Sequence, residues 1–239
     1  MKTMKAMIIA CISIIVLLSS CRVETAKDLG AATTKTIEVK QFEKIDLACS
    51  VDVVYHVSDT FSVSIEAPEK LMSSYKIESD GKTLSIWEDS SIDGKVFLNV
   101  GSFDNDCPVT VHVYAPSITA VNVTGSGEVK CKETIQSGKF NGLITGSGDI
   151  DLAAVKADTL SLYVTGSGEI GIDRVEAVSS TALVTGSGEI DLNLANCQTA
   201  SATVTGSGEI KLIGTVGQLT QQINGSGGID TEELTVTTK

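Results

Sequence analysis

The sequence has few aromatic residues and almost no proline. Aromatic residues make up 4% of its 239 positions, and it contains only 3 prolines and 1 tryptophan. A globular core of this size usually relies on more Phe and Trp than this. Helical spacing of apolar residues is also missing from the second half of the chain. These absences argue against a helical or conventional globular core, and they favour a core of stacked aliphatic side chains.

Arginine, histidine and aromatic residues, which many catalytic sites use beside their acids, are scarce as well. Without its N-terminal leader the chain has two arginines, Arg22 and Arg174. Polysaccharide lyases and hydrolases built on β-helices need clustered acids, a positioned Arg or Lys, and aromatic side chains lining a cleft. The two histidines, His56 and His112, lie in alternating strand patterns without a metal-ligand spacing, so we interpret both as solvent-facing strand residues. The sequence therefore predicts no catalysis and no cofactor, with a polysaccharide-active enzyme of the β-helix class as the alternative.

The chain does contain one phrase repeated six times. Its clearest copy reads Val164-Thr-Gly-Ser-Gly-Glu-Ile170, and the last copy, Ile223–Ile229, is the most altered. The glycines of the six copies are Gly125, Gly127, Gly146, Gly148, Gly166, Gly168, Gly186, Gly188, Gly206, Gly208, Gly225 and Gly227. The first glycines of successive copies are 21, 20, 20, 20 and 19 residues apart. A period this regular indicates stacked units that share one core.

Each unit alternates apolar and polar residues with period two, which is the rule for strands. The pattern predicts an all-β protein, a right-handed parallel β-helix (solenoid) with coils of about 20 residues. The two glycines of each copy would permit a tight corner or a close approach between walls. Two inward ladders are expected, formed by Val123, Ile144, Val164, Val184, Val204 and Ile223, and by Val129, Ile150, Ile170, Ile190, Ile210 and Ile229.

The N-terminus has the pattern of a bacterial lipoprotein. Residues 1–20 combine two lysines with an apolar run that is too short to span a bilayer, which is typical of a signal peptide. The run ends in Leu18-Ser-Ser-Cys21, which resembles a lipobox and predicts acylation of Cys21. An ordinary secretory signal with a chance cysteine is the alternative. Residues 21–33 are polar and unpatterned, so we interpret them as a flexible tether.

Residues 34–116 have strand character but lack the repeated phrase. Alternating segments occur at Ile37–Lys40, Ile45–Leu47, Val51–Val57, Phe61–Ile65, Thr83–Trp87, Val96–Val100 and Val109–Tyr114. The segment Leu47–Val53 resembles a degenerate copy of the phrase, which predicts that residues 34–116 form the first, irregular coils and 117–239 the regular ones. A separate sandwich domain is the alternative. Pro68–Met72 is expected to form a short helical turn.

The charge is strongly acidic. Without Lys2 and Lys5 the chain has 16 basic and 30 acidic residues, a net charge of −14. Nucleic acid and anionic membrane surfaces are therefore poor partners.

An acidic residue follows nearly every Gly-Ser-Gly. Stacked coils would place these residues in one outward row about 4.8 Å apart, made of Glu128, Asp149, Glu169, Glu189 and Glu209. The simplest interpretation is a solvated stripe that keeps the protein soluble. A sharper hypothesis is weak calcium binding near Asp149, Asp151, Glu169, Glu189 and Asp191, since calcium prefers several carboxylate oxygens.

Four cysteines follow Cys21, at positions 49, 107, 131 and 197. Cys131 and Cys197 lie three coils apart, or about 14 Å along the axis of a β-helix, which is too far for a disulfide. A bond between Cys49 and Cys107 is possible in an exported protein, although buried thiols are the default expectation.

A second pattern lies before the repeats, in Phe42, Ile45–Leu47, Val51–Tyr55, Ser62–Ala67 and Thr83–Ile86. Together with the Gly-Ser-Gly coils it resembles the head GIN domain family, also described as putative auto-transporter adhesins, over about residues 35 to 235. The resemblance implies a single-chain right-handed β-helix in an exported, often lipid-anchored protein, and it contributes no catalytic residues. We therefore expect an outer-membrane lipoprotein of the cell envelope whose β-helix is a binding, adhesin-like or structural surface. Its ligand would be a glycan or a protein, and the protein is expected to be a monomer rather than a spacer stacked end to end.

Overall fold

The protein is described here by a computed structural model that covers residues 31–89 and 109–237. The predicted signal peptide, Cys21, most of the predicted tether, the strand predicted at Val96–Val100 and Cys107 lie outside the described residues. Within the described ranges the chain forms 15 strands, which belong to one sheet, and one short helix. No helix in these ranges is long and apolar enough to span a membrane.

Within each of the two described ranges the elements follow one another with short connections. They are β1 (Ala32–Ile37), β2 (Lys44–Ala48), β3 (Asp52–Val57), β4 (Ser62–Pro68), α1 (Glu69–Met72), β5 (Tyr75–Ser79), β6 (Thr83–Glu88), β7 (Thr110–Ala115), β8 (Ala120–Gly125), β9 (Glu128–Gly146), β10 (Asp149–Gly166), β11 (Glu169–Gly186), β12 (Glu189–Gly206), β13 (Glu209–Gly225), β14 (Gly228–Asp230) and β15 (Leu234–Val236). The short helical turn predicted after Pro68 is present as α1. Strand β1 begins at Ala32, so the last two residues of the predicted tether are part of the sheet, and β5 was not predicted.

The strands β10, β11 and β12 each run through almost a whole coil. Each pairs in parallel with the equivalent strand of the next coil, so that Ile150 lies beside Ile170 and Val164 beside Val184. The same register carries on to the next coil, where Ile170 pairs with Ile190. The predicted β-helix with coils of about 20 residues is confirmed.

The two glycines of each Gly-Ser-Gly segment have different roles. The first forms the corner: Gly186 has a φ of +122°, in a region that residues with a Cβ rarely adopt. The second lets adjacent coils come close together. A Cβ on Gly188 would lie 2.5 Å from the carbonyl oxygen of Gly168 and 2.5 Å from Cγ1 of Val164. Both roles proposed from the sequence are present, although the close approach is to the preceding coil rather than to an opposite wall.

Aliphatic side chains fill the interior in the predicted ladders, with one exception. Ten of the twelve ladder residues are buried, and Ile229 is half-buried against the core. Ile223 is exposed to 47%, so the prediction that it points into the core is wrong. The reason is that β14 and β15 cover only residues 209–211 and 214–216 of β13. No described strand lies over the second half of that coil.

The first coils do not stack in chain order. Strands β2 and β3 pair in parallel with β8 and the start of β9, which joins them directly to the regular coils. Strands β6 and β7, which come later in the chain, lie on the other side of β2 and β3. Antiparallel strands then complete this end, with β4 and β1 added to β7 and β5 added to β6. The strands described within residues 34–89 and 109–116 therefore belong to the same sheet as the repeats.

Bulges explain why the repeat steps are not all 20 residues. An extra residue in β9 between Cys131 and Thr134 accounts for the first step of 21. An extra residue in β12 between Leu194 and Cys197 accounts for the last step of 19, and Asn196 in this bulge has a φ of +66°. Bulges bend a strand and redirect its side chains. The bulge in β9 contains Glu133 and the bulge in β12 contains Asn196, and each of these residues belongs to a surface feature described below.

The thiols of Cys131 and Cys197 are buried and form no disulfide, as expected from their separation. Burial raises the pKa of both thiols, to about 12 for Cys131. Cys49 is buried too. The alternative of a bond between Cys49 and Cys107 stays open, because Cys107 lies outside the described part of the chain.

Candidate functional site

Outward side chains form columns because the coils stack in register. The predicted acidic column is present, and Asp52 of β3 extends it by one member beyond Glu128. Its other members pair successively in the parallel ladders, in the order Glu128, Asp149, Glu169, Glu189 and Glu209. Six carboxylates therefore follow one another along one edge of the β-helix.

The surroundings of the carboxyl groups in this column disfavour their ionisation. Burial raises the pKa of Asp149, Glu169 and Glu189, and neighbouring carboxylates raise each of them further. At one end a cation offsets the repulsion, because Nζ of Lys130 lies 2.7 Å from Oε2 of Glu128. The hydrogen bond to Glu128 raises the pKa of Lys130. The column is thus partly neutralised at one end and uncompensated in the middle.

The residues of the calcium hypothesis lie on two neighbouring columns. Asp149, Glu169 and Glu189 are on one, while Asp151 and Asp191 are on the other, with Gly171 between them. One carboxylate oxygen of Asp191, Oδ1, is buried without a hydrogen-bond partner. In residues 31–89 and 109–237, no group of three or more His, Cys, Asp or Glu residues is arranged to hold a metal ion. Calcium binding therefore stays a prediction, and a solvated stripe remains the simpler interpretation.

A polar groove crosses four coils about half a coil further along the chain than the Gly-Ser-Gly corners. Its volume is about 600 Å³, within the usual range for ligand sites. Its polar lining includes Gln136, Lys156, Asp158, Glu176, Asn196 and Gln198. These side chains come from equivalent positions of β9, β10, β11 and β12. The sequence did not identify them, because polar residues at these positions are indistinguishable from any solvated edge.

Ion pairs keep one acidic residue of the groove, Glu176, in its charged form. Nη2 of Arg174 lies 2.9 Å from Oε1 of Glu176, and Nζ of Lys156 lies 3.6 Å from Oε2 of the same residue. Arg174 precedes Glu176 within an irregularity of the pairing between β11 and β12. Its hydrogen bonds, helped by Lys156, lower the pKa of Glu176. Glu176 is therefore ionised near neutral pH, so it is a good hydrogen-bond acceptor and a poor general acid.

A flat exposed face lies on the outside of the same coils. Its central column contains Leu143, Tyr163 and Leu183, and Leu143 and Tyr163 are each exposed to 37%. The neighbouring column consists of exposed threonines, Thr145, Thr165, Thr185 and Thr205. This face is a second surface on which a ligand could contact an aromatic ring and hydroxyl groups.

The two histidines, interpreted from the sequence as solvent-facing strand residues, lie next to each other in the structure. His56 of β3 and His112 of β7 lie on neighbouring parallel strands, with Nε2 of His56 3.4 Å from Nδ1 of His112. The only sequence signal was that both lie at polar positions of alternating strands. Which two strands become neighbours depends on the unusual stacking order at this end, which no local pattern contains.

Comparison with known proteins is consistent with this architecture. None of the curated proteins matches the sequence. The structure is similar to that of a putative adhesin from Bacteroides fragilis, with 20% identity and a TM-score of 0.66 over 83% of this chain and 96% of that one. It is also similar to a putative lipid binding protein from Parabacteroides distasonis, with 22% identity and a TM-score of 0.65 over 84% of this chain and 96% of that one.

The sequence itself identifies the family. The sequence model of the family described as "Putative auto-transporter adhesin, head GIN domain" matches residues 41–173 and 165–238. These two ranges include the irregular first coils, all the Gly-Ser-Gly corners and the polar groove. With nearly the whole described chain matched, this protein belongs to the head GIN domain family.

Proposed function

We propose that this protein is a lipid-anchored adhesin of the cell envelope that binds a glycan in its polar groove without catalysing a reaction. The observation that supports this most directly is the groove itself. Three amide side chains, Gln136, Asn196 and Gln198, lie there with the carboxylate of Asp158. Amides both donate and accept hydrogen bonds, as sugar hydroxyl groups do.

The rigid coils favour a repetitive ligand. Equivalent groove residues lie on successive coils about 4.8 Å apart, on backbone held by continuous ladders. Because Arg174 and Lys156 both pair with Glu176, the charges in the groove largely cancel. A groove of this kind suits a neutral or weakly charged chain better than a strongly charged one.

Absence of catalysis is supported by the state of Glu176. A glycoside hydrolase requires a carboxylic acid whose pKa is raised so that it can donate a proton. In this groove Arg174 and Lys156 lower the pKa of the acid between them. The alternative, a polysaccharide-active enzyme, would need a proton donor elsewhere.

The names of the similar structures agree with an adhesive role more than with a lipid-carrying one. Two solved relatives are described as putative adhesins and one as a putative lipid binding protein. Beside small apolar residues such as Ala157 and Ala177, the groove is lined by amides and charged groups, whereas acyl chains need a predominantly apolar cavity. Membrane attachment through Cys21 would place the groove outside the cytoplasm.

A glycan array probed with the purified protein tests this proposal. We expect binding to a limited set of glycans, lost in Gln136→Ala and in Asn196→Gly. Glycine tolerates the positive φ of Asn196, so the second variant removes only the side chain. Gln222→Ala, on the exposed part of β13, is the matched control and should bind normally.

Three outcomes distinguish the possibilities. Binding that survives both groove variants but is lost in Tyr163→Ala would move the site to the flat face. Release of shorter products from a bound polysaccharide would show an enzyme. Failure to bind any glycan, with binding to host or bacterial proteins instead, would overturn the glycan proposal.

A further inference from the structure

The pair of histidines is the most unusual polar contact on this molecule. His56 and His112 are 56 residues apart in the chain, and they are its only histidines. Their rings are nearly parallel, with an angle of 19° and centroids 5.7 Å apart. Because the centroids are this far apart while the nearest nitrogens are 3.4 Å apart, the rings are displaced sideways and present nitrogen edges to each other.

This spacing matches the distance between two ligands of one metal ion. Imidazole nitrogens bind Zn²⁺ at roughly 2.0–2.1 Å, so two of them on a tetrahedral ion lie about 3.3–3.4 Å apart. We propose that Nε2 of His56 and Nδ1 of His112 bind one divalent transition-metal ion, with Zn²⁺ and Cu²⁺ as the preferred ions. One of these two nitrogens carries the hydrogen of their present contact. For metal binding that ring moves its proton to its other nitrogen, so no proton is lost and both rings bind the ion as neutral imidazoles.

Glu133 supplies the supporting contact that metal-binding histidines usually have. Its Oε1 lies 3.6 Å from Nδ1 of His56, on the far side of the ring from His112. A carboxylate beside Nδ1 favours the tautomer with its proton on that nitrogen, which leaves Nε2 free to bind a metal. Glu133 reaches His56 because it lies in the bulge of β9, between Cys131 and Thr134. It is a positioning residue and not a third ligand, which is consistent with the absence of a three-residue metal group in the described ranges.

Tyr114 restricts the movement of the same ring. Its ring stacks on that of His56 with centroids 4.6 Å apart and an angle of 16°. The His56 side chain is exposed to 31%, so an ion can enter from solvent and water can complete its coordination. Two imidazoles without carboxylate ligands favour borderline metals over calcium or magnesium, and the usual affinity order places Cu²⁺ before Zn²⁺. This site is therefore chemically distinct from the acidic column.

Titration of the purified protein with Zn²⁺, followed by calorimetry, tests the proposal. The protein must carry no purification histidine tag. We expect one equivalent to bind, at least 10-fold more weakly in His112→Ala and 10- to 100-fold more weakly in Glu133→Gln. Millimolar Ca²⁺ should not displace the ion. Glu169→Gln, in the acidic column, is the matched control and should bind Zn²⁺ like the wild type.

NMR of the imidazole nitrogens keeps the test decisive if a variant folds poorly. On adding Zn²⁺ to the wild type, the signals of His56 Nε2 and His112 Nδ1 should shift while those of the other two ring nitrogens move much less. With Cu²⁺, electron paramagnetic resonance should show coupling to two nitrogens. Binding that persists when both histidines are replaced, or no shift at millimolar Zn²⁺, would overturn the proposal.

Discussion

Gly188 lies directly over Gly168 of the preceding coil, so close that a Cβ added to Gly188 would come within 2.5 Å of the Gly168 carbonyl oxygen. The backbones of the two glycines are packed so closely that neither can move away from an added Cβ without disturbing the ladder of hydrogen bonds. Gly188→Ala should therefore lower the free energy of unfolding by about 1–3 kcal/mol. Gly171→Ala is the matched control, because its new Cβ would meet nothing within 4 Å. Equal stability of the two variants in chemical denaturation would contradict this account of the corner.

The same substitution should have opposite consequences at two positions of the aliphatic ladders. Ile190→Asp buries an unpaired charge and should destabilise the protein by several kcal/mol. Ile223→Asp should be nearly neutral, since Ile223 is exposed at the uncovered half of β13. Thermal unfolding followed by circular dichroism measures both. A large loss of stability at Ile223 would mean that another part of the chain covers it.

The acidic column should make stability depend on pH with an unusual sign. In the folded state the pKa of Glu169 is raised above its usual 4.5. At a pH between 4.5 and that raised pKa, Glu169 therefore binds more protons in the folded protein than in the unfolded chain. Its contribution to stability therefore falls as pH rises through this window. Glu169→Gln should be more stable than wild type at neutral pH and should lose that advantage by about pH 4. Added salt should reduce the difference by screening.

Asp80 provides the control of opposite sign for that experiment. Hydrogen bonds from the amides of Thr83 and Lys82 lower the pKa of Asp80. Its stabilising contribution is present above its usual pKa and is lost as pH falls. Asp80→Asn should therefore be less stable than wild type at neutral pH and should approach it in acid. Identical pH profiles for the Asp80 and Glu169 variants would refute the assignment.

Membrane attachment should depend on one residue. Cys21→Ala removes the predicted acylation site, so the protein should be released from membranes or remain unprocessed. Detergent partitioning and mass spectrometry of the N-terminus measure this. If the variant partitions with detergent as the wild type does, the lipoprotein prediction fails.

The C-terminal end should not polymerise, although it is only partly covered. The amide of Gly214 donates to the carbonyl of Glu233 at 3.0 Å, which places the acidic turn at Glu232 and Glu233 over β13. The uncovered half of β13 carries mostly polar side chains around Ile223. We expect a monomer in light scattering at micromolar concentration. Concentration-dependent filaments would show that this edge pairs with another chain.

The repeats could be predicted because the sequence of each coil contains the local signals that determine its structure. Alternation indicates strands, and the glycines at Gly186 and Gly188 mark both the corner and the contact between coils. The ladder prediction was wrong only at Ile223, where the outcome depends on whether another coil follows. The sequence pattern repeats there, but the covering strand ends early.

What could not be predicted depends on contacts between distant segments. The steps of 21 and 19 residues are visible in the sequence, but they do not show that the extra residues lie next to Glu133 and Asn196. The pairing of His56 with His112 requires β7 to stack on β3, and no periodicity encodes that choice. Likewise, Glu176 is an ordinary acidic residue until Arg174 and Lys156 come within reach of it.

Register between the coils has a consequence for how this protein can change in length. Removing residues 169–188 would join Gly168 to Glu189 and place β12 on β10. Gly206 and the two ladder residues of β12, Ile190 and Val204, would then lie opposite equivalent residues of β10. The body would shorten by about 4.8 Å, while the antiparallel strands at one end and the acidic turn at the other would be untouched. Duplication of the same segment would lengthen it by an equal amount. The distance between the two ends of the β-helix can therefore vary in whole coils, independently of the chemistry at either end.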